Sequence, residues 1–415
     1  MDNPAPIDRS APAQISELKL FLFALSSAAV VANGYYIHPL VTPVAEEFGV
    51  SGATIGLVPA LNQIALALGI LLLLPLGDRI NNRKLVTIFV AGQFLAMLAM
   101  ALSGSFVLFA TASSLLGFVT IAPYLLPAYV TQRVAPGRIG HVTGIMTAGV
   151  TLGILGSRVG GGLLGHYFGW RSAYWVGVAC MGLLVVLLPS IMERRQDEKP
   201  SDVEPPRYSE LLRSLWPIMK SMPEVPLGGM IQALSFGLFL ALWLAIGLHL
   251  PRNGYGVDTV GYLAIIAIVN VFGSPYAGRF ADHIGAERAR IYFCMVQLAG
   301  VSLLPFAGNN LWLLVVAVIF NSIGGASVDI CSRTILFSRA PEIRTRLMTI
   351  YIVIMFIGGG ISSWLGAATY EFAGWPGISI MAICYAVTIM GLSLRGLRFK
   401  PARDENQSSL ARHKA

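Results

Sequence analysis

The chain has 415 residues, 55% of them hydrophobic and only 12% charged, with 29 Lys and Arg against 21 Asp and Glu. A mean hydropathy of +0.69, with a charged fraction about half that of soluble domains, excludes an ordinary globular protein. The net charge of +8 is spread over loops and tails at the ends of apolar runs, so it reads as topology signals in a polytopic membrane protein and not as a nucleic-acid surface.

A polar tail covers residues 1–17, and the apolar run behind it is too long for the core of a secretory signal, so it is expected to stay in the membrane. Spans need about 20 apolar residues. Twelve helical spans are predicted, at 18–41, 52–76, 84–104, 107–131, 141–165, 170–191, 224–249, 257–281, 288–307, 311–336, 346–368 and 375–394. They form an N-terminal six-helix bundle over 18–191 and a C-terminal one over 224–394, parted by a charged, Pro-rich linker over 192–223 and followed by a tail over 395–415. Within the linker, Tyr208 to Met219 reads as a short amphipathic surface helix with Leu211, Leu212, Leu215 and Trp216 on one side. Cys180, Cys294, Cys331 and Cys384 all fall inside spans, where a thiol behaves as a small hydrophobe, so neither a disulfide nor a metal site is expected.

Twenty-six of the 29 basic residues flank one membrane face, Arg171 and Arg252 lie at the other, and Arg158 alone sits within a span. The positive-inside rule then puts both termini in the cytoplasm, in a cell inner (plasma) membrane. Among the acids Asp329 is the one at membrane depth. A charge there costs at least about 2.5 to 3.5 kcal/mol on insertion scales, which makes both residues functional candidates.

The two halves repeat at an offset near 205 residues: Gly169-Trp170 returns as Gly374-Trp375, Asp78 after span two as Asp282 after span eight, and Arg133-Val134-Ala135-Pro136 as Arg339-Ala340-Pro341. Two six-span bundles in one orientation imply a pseudo-twofold axis along the membrane normal and a binding site between them near the midplane.

With these features the chain resembles a twelve-span transporter of the major facilitator superfamily over nearly its whole length. YYIHPLVTPVAEEFGVS in and after span one, LPLGDR after span two and GILGSRVGG in span five resemble the arabinose-efflux-permease-like branch of drug and metabolite exporters. The resemblance implies a gating role for the loop residues Gly77, Asp78, Arg79, Arg83 and Lys84 and for Gly278, Arg279, Asp282, Gly285 and Arg288, with Asp78 facing the start of span eleven and Asp282 the start of span five. Leu74 and Asn81 stand where that loop pattern has glycine. Span five resembles the Gly-rich antiporter motif, through Gly149, Gly153, Gly156, Gly160 and Gly161, but carries Ser157-Arg158 in place of Gly-Pro. Gly160, Gly162 and Gly165 also spell a dinucleotide fingerprint, which fails because no strand precedes it and Val185 occupies the place of the ribose acid.

Arg158 has Ser363 as its repeat counterpart, so symmetry does not call for a charge there. Its guanidinium is either a fork for an anionic substrate group or a coupling carboxyl, or a pin that bonds carbonyls of neighbouring helices. Asp329 has Arg333 at i+4 and is read as part of a charge cluster with Arg279 or as a proton-coupling site. His38, near the outer end of span one, is a second coupling candidate because imidazole titrates between about pH 5 and 8. Asn33, Tyr36, His38, Gln63, Tyr124, Trp243, Asn270 and Asn321, with Arg158, are expected to line an apolar, aromatic cavity with a few polar contacts. Gln93 and Gln297, on the peripheral third and ninth spans, are left out of that set.

There is no GxxxxGK[ST] loop and no catalytic constellation, so no enzyme and no cofactor is expected. The leading reading is a monomeric secondary transporter that exports a small organic molecule by proton antiport through alternating access. The alternative is an organic-anion carrier or exchanger that uses Arg158 without obligatory protons; a non-transporting receptor or scaffold leaves the buried charges unexplained.

Overall fold

The computed structural model describes residues 15–135, 138–192, 208–339 and 343–397. Nearly all of the N-terminal tail, most of the linker and the C-terminal tail lie outside the described residues, as do the side chains of Asp78, Leu211, Leu212 and Asn270. Every regular element among the described residues is helical.

Span one comprises Glu17–Ala32 and Ile37–Phe48, and the break between them has a covalent cause. Pro39 has no N–H to give the Tyr35 carbonyl one turn earlier. That carbonyl accepts instead from the His38 amide at 3.3 Å and from His38 Nδ1 at 3.2 Å. The helix then runs past the predicted end at 41, because its last turns stay helical to Gly49 (φ 62) although Glu46 and Glu47 end the apolar run. Span four is divided in the same way into Phe106–Phe118 and Ala122–Thr131, ahead of Pro123. Spans two, three, five and six are Leu57–Leu73 with a tight turn over Leu74–Asp78, Asn82–Ala101, Ile139–Phe168 and Arg171–Ile191.

In the second half, Glu224–Arg252 forms span seven, Val257–Ala264 and Ile268–Ile284 form span eight, Ala286–Ser302 span nine and Leu311–Arg339 span ten. Arg344–Gly396 carries spans eleven and twelve, parted at Gly374 (φ 60, ψ −153). Ten helices among the described residues are long and apolar enough by themselves to cross a membrane. The difference from the predicted twelve has two local reasons. A 3-10 turn over Ile265–Ala267 interrupts span eight, and spans eleven and twelve run into one another across Gly374. Gly169 (φ 79) makes the matching corner in the first half, and glycine suits both because it alone takes positive φ without a Cβ penalty. The following tryptophans anchor these corners: Trp170 Nε1 donates to Glu47 (2.5 Å) and Trp375 Nε1 to the Leu304 carbonyl (2.7 Å).

Tyr208–Ser221 is a surface helix, as predicted. Leu215 packs toward Val225 and Tyr351, but Trp216 is exposed and carries Lys220 over its ring at 5.3 Å, so the two do not share the packed side as expected.

Each bundle is tied across its interior by a buried glutamine on its third helix. Gln93 Oε1 accepts from Asn33 Nδ2 (3.1 Å) while its Nε2 donates to Thr120 Oγ1 (2.5 Å). At the equivalent place in the repeat, Gln297 Nε2 donates to Ser235 Oγ (3.2 Å) and Asn321 Oδ1 (3.2 Å). Helices in the first bundle also touch backbone to backbone: a Cβ on Gly117 would sit 2.1 Å from the Asn62 carbonyl oxygen and one on Gly153 2.3 Å from that of Ala28.

The bundles join at the end remote from the chain termini. Thr42 Oγ1 donates to the Gly247 carbonyl (2.8 Å), the Ala53 amide donates to Glu371 Oε2 (2.5 Å), and His166 lies 3.5 Å from Asp258. At Gly247 a Cβ would come within 2.4 Å of the His38 carbonyl oxygen.

Candidate functional site

A cavity of about 240 Å³ lies between the bundles, and helical periodicity accounts for its walls. Thr151, Ile154, Leu155 and Arg158 recur at one face of span five, and Gln232, Ser235, Phe236 and Phe239 repeat the same spacing on span seven. Span ten contributes Asn321, Ser322, Gly325, Ala326 and Asp329. The wall is therefore apolar and aromatic toward Arg158 and amide- and hydroxyl-bearing toward Asn321, whose side chain Gln297 holds in place.

Arg158 is 1% exposed, and its guanidinium carbon lies 4.5 Å from the Phe239 ring, 4.6 Å from the Trp243 ring and 5.6 Å from the Tyr35 ring. Its Nε and Nη2 have no hydrogen-bond partner. A structural pin would spend those donors on carbonyls. The three aromatic faces offset part of the desolvation of the cation, at about 2 kcal/mol or more for a desolvated contact, and leave its planar edge free to receive an acceptor.

Asp329 is engaged differently. Both its carboxylate oxygens accept from Arg333 Nε (2.9 and 3.0 Å), and Oδ1 also accepts from the Tyr351 hydroxyl (2.7 Å). The expected cluster with Arg279 is corrected here: Arg279 is exposed and forms no ion pair with Asp329 among the described residues, because Arg333, one turn along the same helix, reaches the carboxylate first. Arg290, one of the twenty-six basic residues counted at the span ends of one face, is 4% exposed and lies near Cys294 and Cys331, a burial that counting missed.

Of the expected lining residues, Arg158 and Asn321 are on this cavity wall, and Trp243, joined by Tyr35 from span one, packs against Arg158. His38 stacks on Tyr35 (5.5 Å), Gln63 hydrogen-bonds the Tyr35 side chain, and Tyr124 lies within electrostatic reach of both Tyr35 and Arg333. Asn33 and Tyr36 are placed elsewhere, inside the first bundle: Asn33 bonds Gln93, and Tyr36 packs edge-on against Tyr174 at 6.3 Å. Residues two apart face nearly opposite sides of a helix, and that sends Asn33 toward span three and Tyr35 toward Arg158. Sequence reasoning missed Gln232, Ser235 and Phe239, although their i, i+3 and i+7 spacing on one otherwise apolar helix was the available signal.

Of the loop residues, Arg79, Lys84, Arg279, Asp282 and Arg288 are exposed, Gly77, Arg83 and Gly278 are partly buried, and Gly285 turns the chain into span nine with φ 89.

A Major Facilitator Superfamily family model matches residues 23–308 and 258–414. The uncharacterized transporter YgaY of Escherichia coli O157:H7 is 26% identical over 94% of this chain and 98% of its own length. The probable transporter SCO4007 of Streptomyces coelicolor is 28% identical, over 94% and 89%. Among solved structures, the nucleoside transporter NupG superposes with a TM-score of 0.74 at 15% identity, over 92% of this chain and 100% of that one, a likeness of fold alone. Two six-helix bundles closed around a polar-tipped cavity, matched by that family model over almost the whole chain, place the protein in the Major Facilitator Superfamily, a multi-pass membrane transporter and not an enzyme.

Proposed function

We propose that this transporter moves small organic anions by alternating access, with Arg158 holding the anionic group. One observation carries the reading: a fully buried guanidinium with two unpartnered donors opens on the cavity between the bundles. An isolated buried cation costs several kcal/mol even after relaxation, so a fold that keeps one there gains most when a ligand supplies the missing charge. Resemblance of span five to exporter motifs favours the outward direction, and the basic loops favour an inner membrane with both termini cytoplasmic. One chain supplies both sides of the cavity, which suits a monomer working in the lipid bilayer.

The test is a thermal-shift screen of purified protein against organic anions and their neutral analogues. At a hundred times Kd a ligand should add about 2.7 kcal/mol of stability. The compounds that stabilise should be anions, and their effect should vanish in Arg158→Ala. Stabilisation by neutral compounds that survives in the variant would count against the reading.

A second reading, export by proton antiport through Asp329, is favoured by the position of that carboxylate on the same cavity wall. Asp329→Asn should then still exchange substrate across proteoliposomes while losing pH-driven accumulation. Loss of both together would assign Asp329 to holding Arg333 and Tyr351 in place.

A further inference from the structure

We infer that His38 makes anion binding at Arg158 proton-linked, so that one proton enters the site with each anion. The inference rests on the reading of Arg158 as the anion residue. His38 and Arg158 lie against the same aromatic ring: the imidazole stacks on Tyr35 at 5.5 Å, and the guanidinium carbon is 5.6 Å from that ring. Both side chains are buried, at 0% and 1% exposure.

The backbone fixes which nitrogen of His38 is available. A carbonyl oxygen only accepts, so the 3.2 Å contact between Nδ1 and the Tyr35 carbonyl places the hydrogen on Nδ1. Pro39 leaves that carbonyl free to take it. Nε2 is then a lone pair, and it has no partner. Buried polar atoms in native proteins are nearly always paired. Here the Nε2 of His38, the Oε1 of Gln63 and the Nε and Nη2 of Arg158 all lack partners around one tyrosine.

The surrounding charges set the order of events. Tyr35 and Tyr36 on its own span, Tyr124 on span four and Arg158 on span five are titratable or charged groups near it, and no carboxylate among the described residues pairs with Arg158. Toward the joined ends of spans five, seven and eight, His166 is paired with Asp258, His249 with Tyr370, and Arg252 lies over the Tyr370 ring. Asp329 is already bonded to Arg333 and Tyr351. Burial of the imidazole opposes a proton on Nε2, and the bare guanidinium beside it adds Coulomb repulsion between like charges in a dry site. An anion seated on Arg158 cancels the repulsion and supplies a counter-charge that offsets the cost of burial. The proton comes from water and binds the Nε2 lone pair, no other bond breaks, and the site carries one net positive charge before and after. The anion and the proton therefore travel together without net charge.

Purified full-length protein in weakly buffered detergent with a pH-indicator dye tests this, with acetate, benzoate and 1-naphthoate as probes. Wild type should take up close to one proton per bound carboxylate wherever His38 is neutral in the free protein and charged in the complex, and affinity should fall about tenfold per pH unit across that interval. His38→Gln, or His38→Asn where the first variant does not fold, should still bind the carboxylate with no proton uptake and a flat pH profile. Binding without proton uptake in wild type overturns the inference and leaves the role of Arg158 standing. Uptake that persists in the His38 variants also overturns it, since the proton then rides on the acid itself or on another group. If none of the three carboxylates binds, or if binding survives in Arg158→Gln, the anion reading fails first and this inference with it.

Discussion

Arg158→Lys should insert and fold normally yet transport about ten to a hundred times more slowly. A charged hydrogen bond contributes roughly 1.5 to 3 kcal/mol, and each 1.4 kcal/mol is a factor of ten. Lysine keeps the charge but loses the planar fork that can meet a carboxylate with two parallel bonds, and its ammonium cannot lie flat between the Phe239 and Trp243 rings. Stability is the informative control. Because Nε and Nη2 are unpartnered in the protein itself, replacing Arg158 breaks no hydrogen bond from those atoms, and the ring contacts and packing it loses are set against the buried unpaired charge it removes, so Arg158→Ala should melt close to wild type. Counterflow in proteoliposomes, with an anion that stabilises wild type, gives the rate. Normal rates in the lysine variant, or a collapse in melting temperature in the alanine variant, would return Arg158 to a structural role.

Gly247→Val should hold the transporter open at the end remote from the chain termini. The first side-chain carbon would lie 2.4 Å from the His38 carbonyl oxygen on span one, and Gly247's own carbonyl accepts the Thr42 hydroxyl bond that joins span one to span seven. Helix backbone cannot yield there as a flexible side chain would, so the clash falls entirely on the closed state. A penalty of about 2.7 kcal/mol on one of two states already shifts their ratio a hundredfold. A cysteine at Thr42 should react with an impermeant maleimide added from outside at least about ten times faster in the Gly247→Val background than alone, with transport abolished. Unchanged labelling with intact transport would show that this contact does not close that end.

Much of this was legible in the sequence, for physical reasons that can be named. The apolar runs gave the spans because bilayer thickness sets their length, and the Gly-Trp corners gave the repeat because both copies need the same positive-φ turn. Arg158 stood out because a charge at that depth is expensive. What could not be read was direction. Asn33 and Tyr35 are two residues apart, so helical geometry turns them to opposite sides, and only packing decides that one faces Gln93 and the other Arg158. Gln297 looked peripheral because its helix is, yet its amide reaches inward to Ser235 and Asn321. Asp329 offered two basic partners by sequence, and only packing chose Arg333.

The paired glutamines, Gln93 and Gln297, have a consequence for motion. Each works as a cross-brace through its own bundle, linking the first, third and fourth helices of that half. Rocking one half against the other leaves both braces intact, so the work of switching falls on the seam alone. The ease of that switch is then set by a handful of contacts such as Thr42 with Gly247 and Ala53 with Glu371, and it can be retuned there without loosening either half.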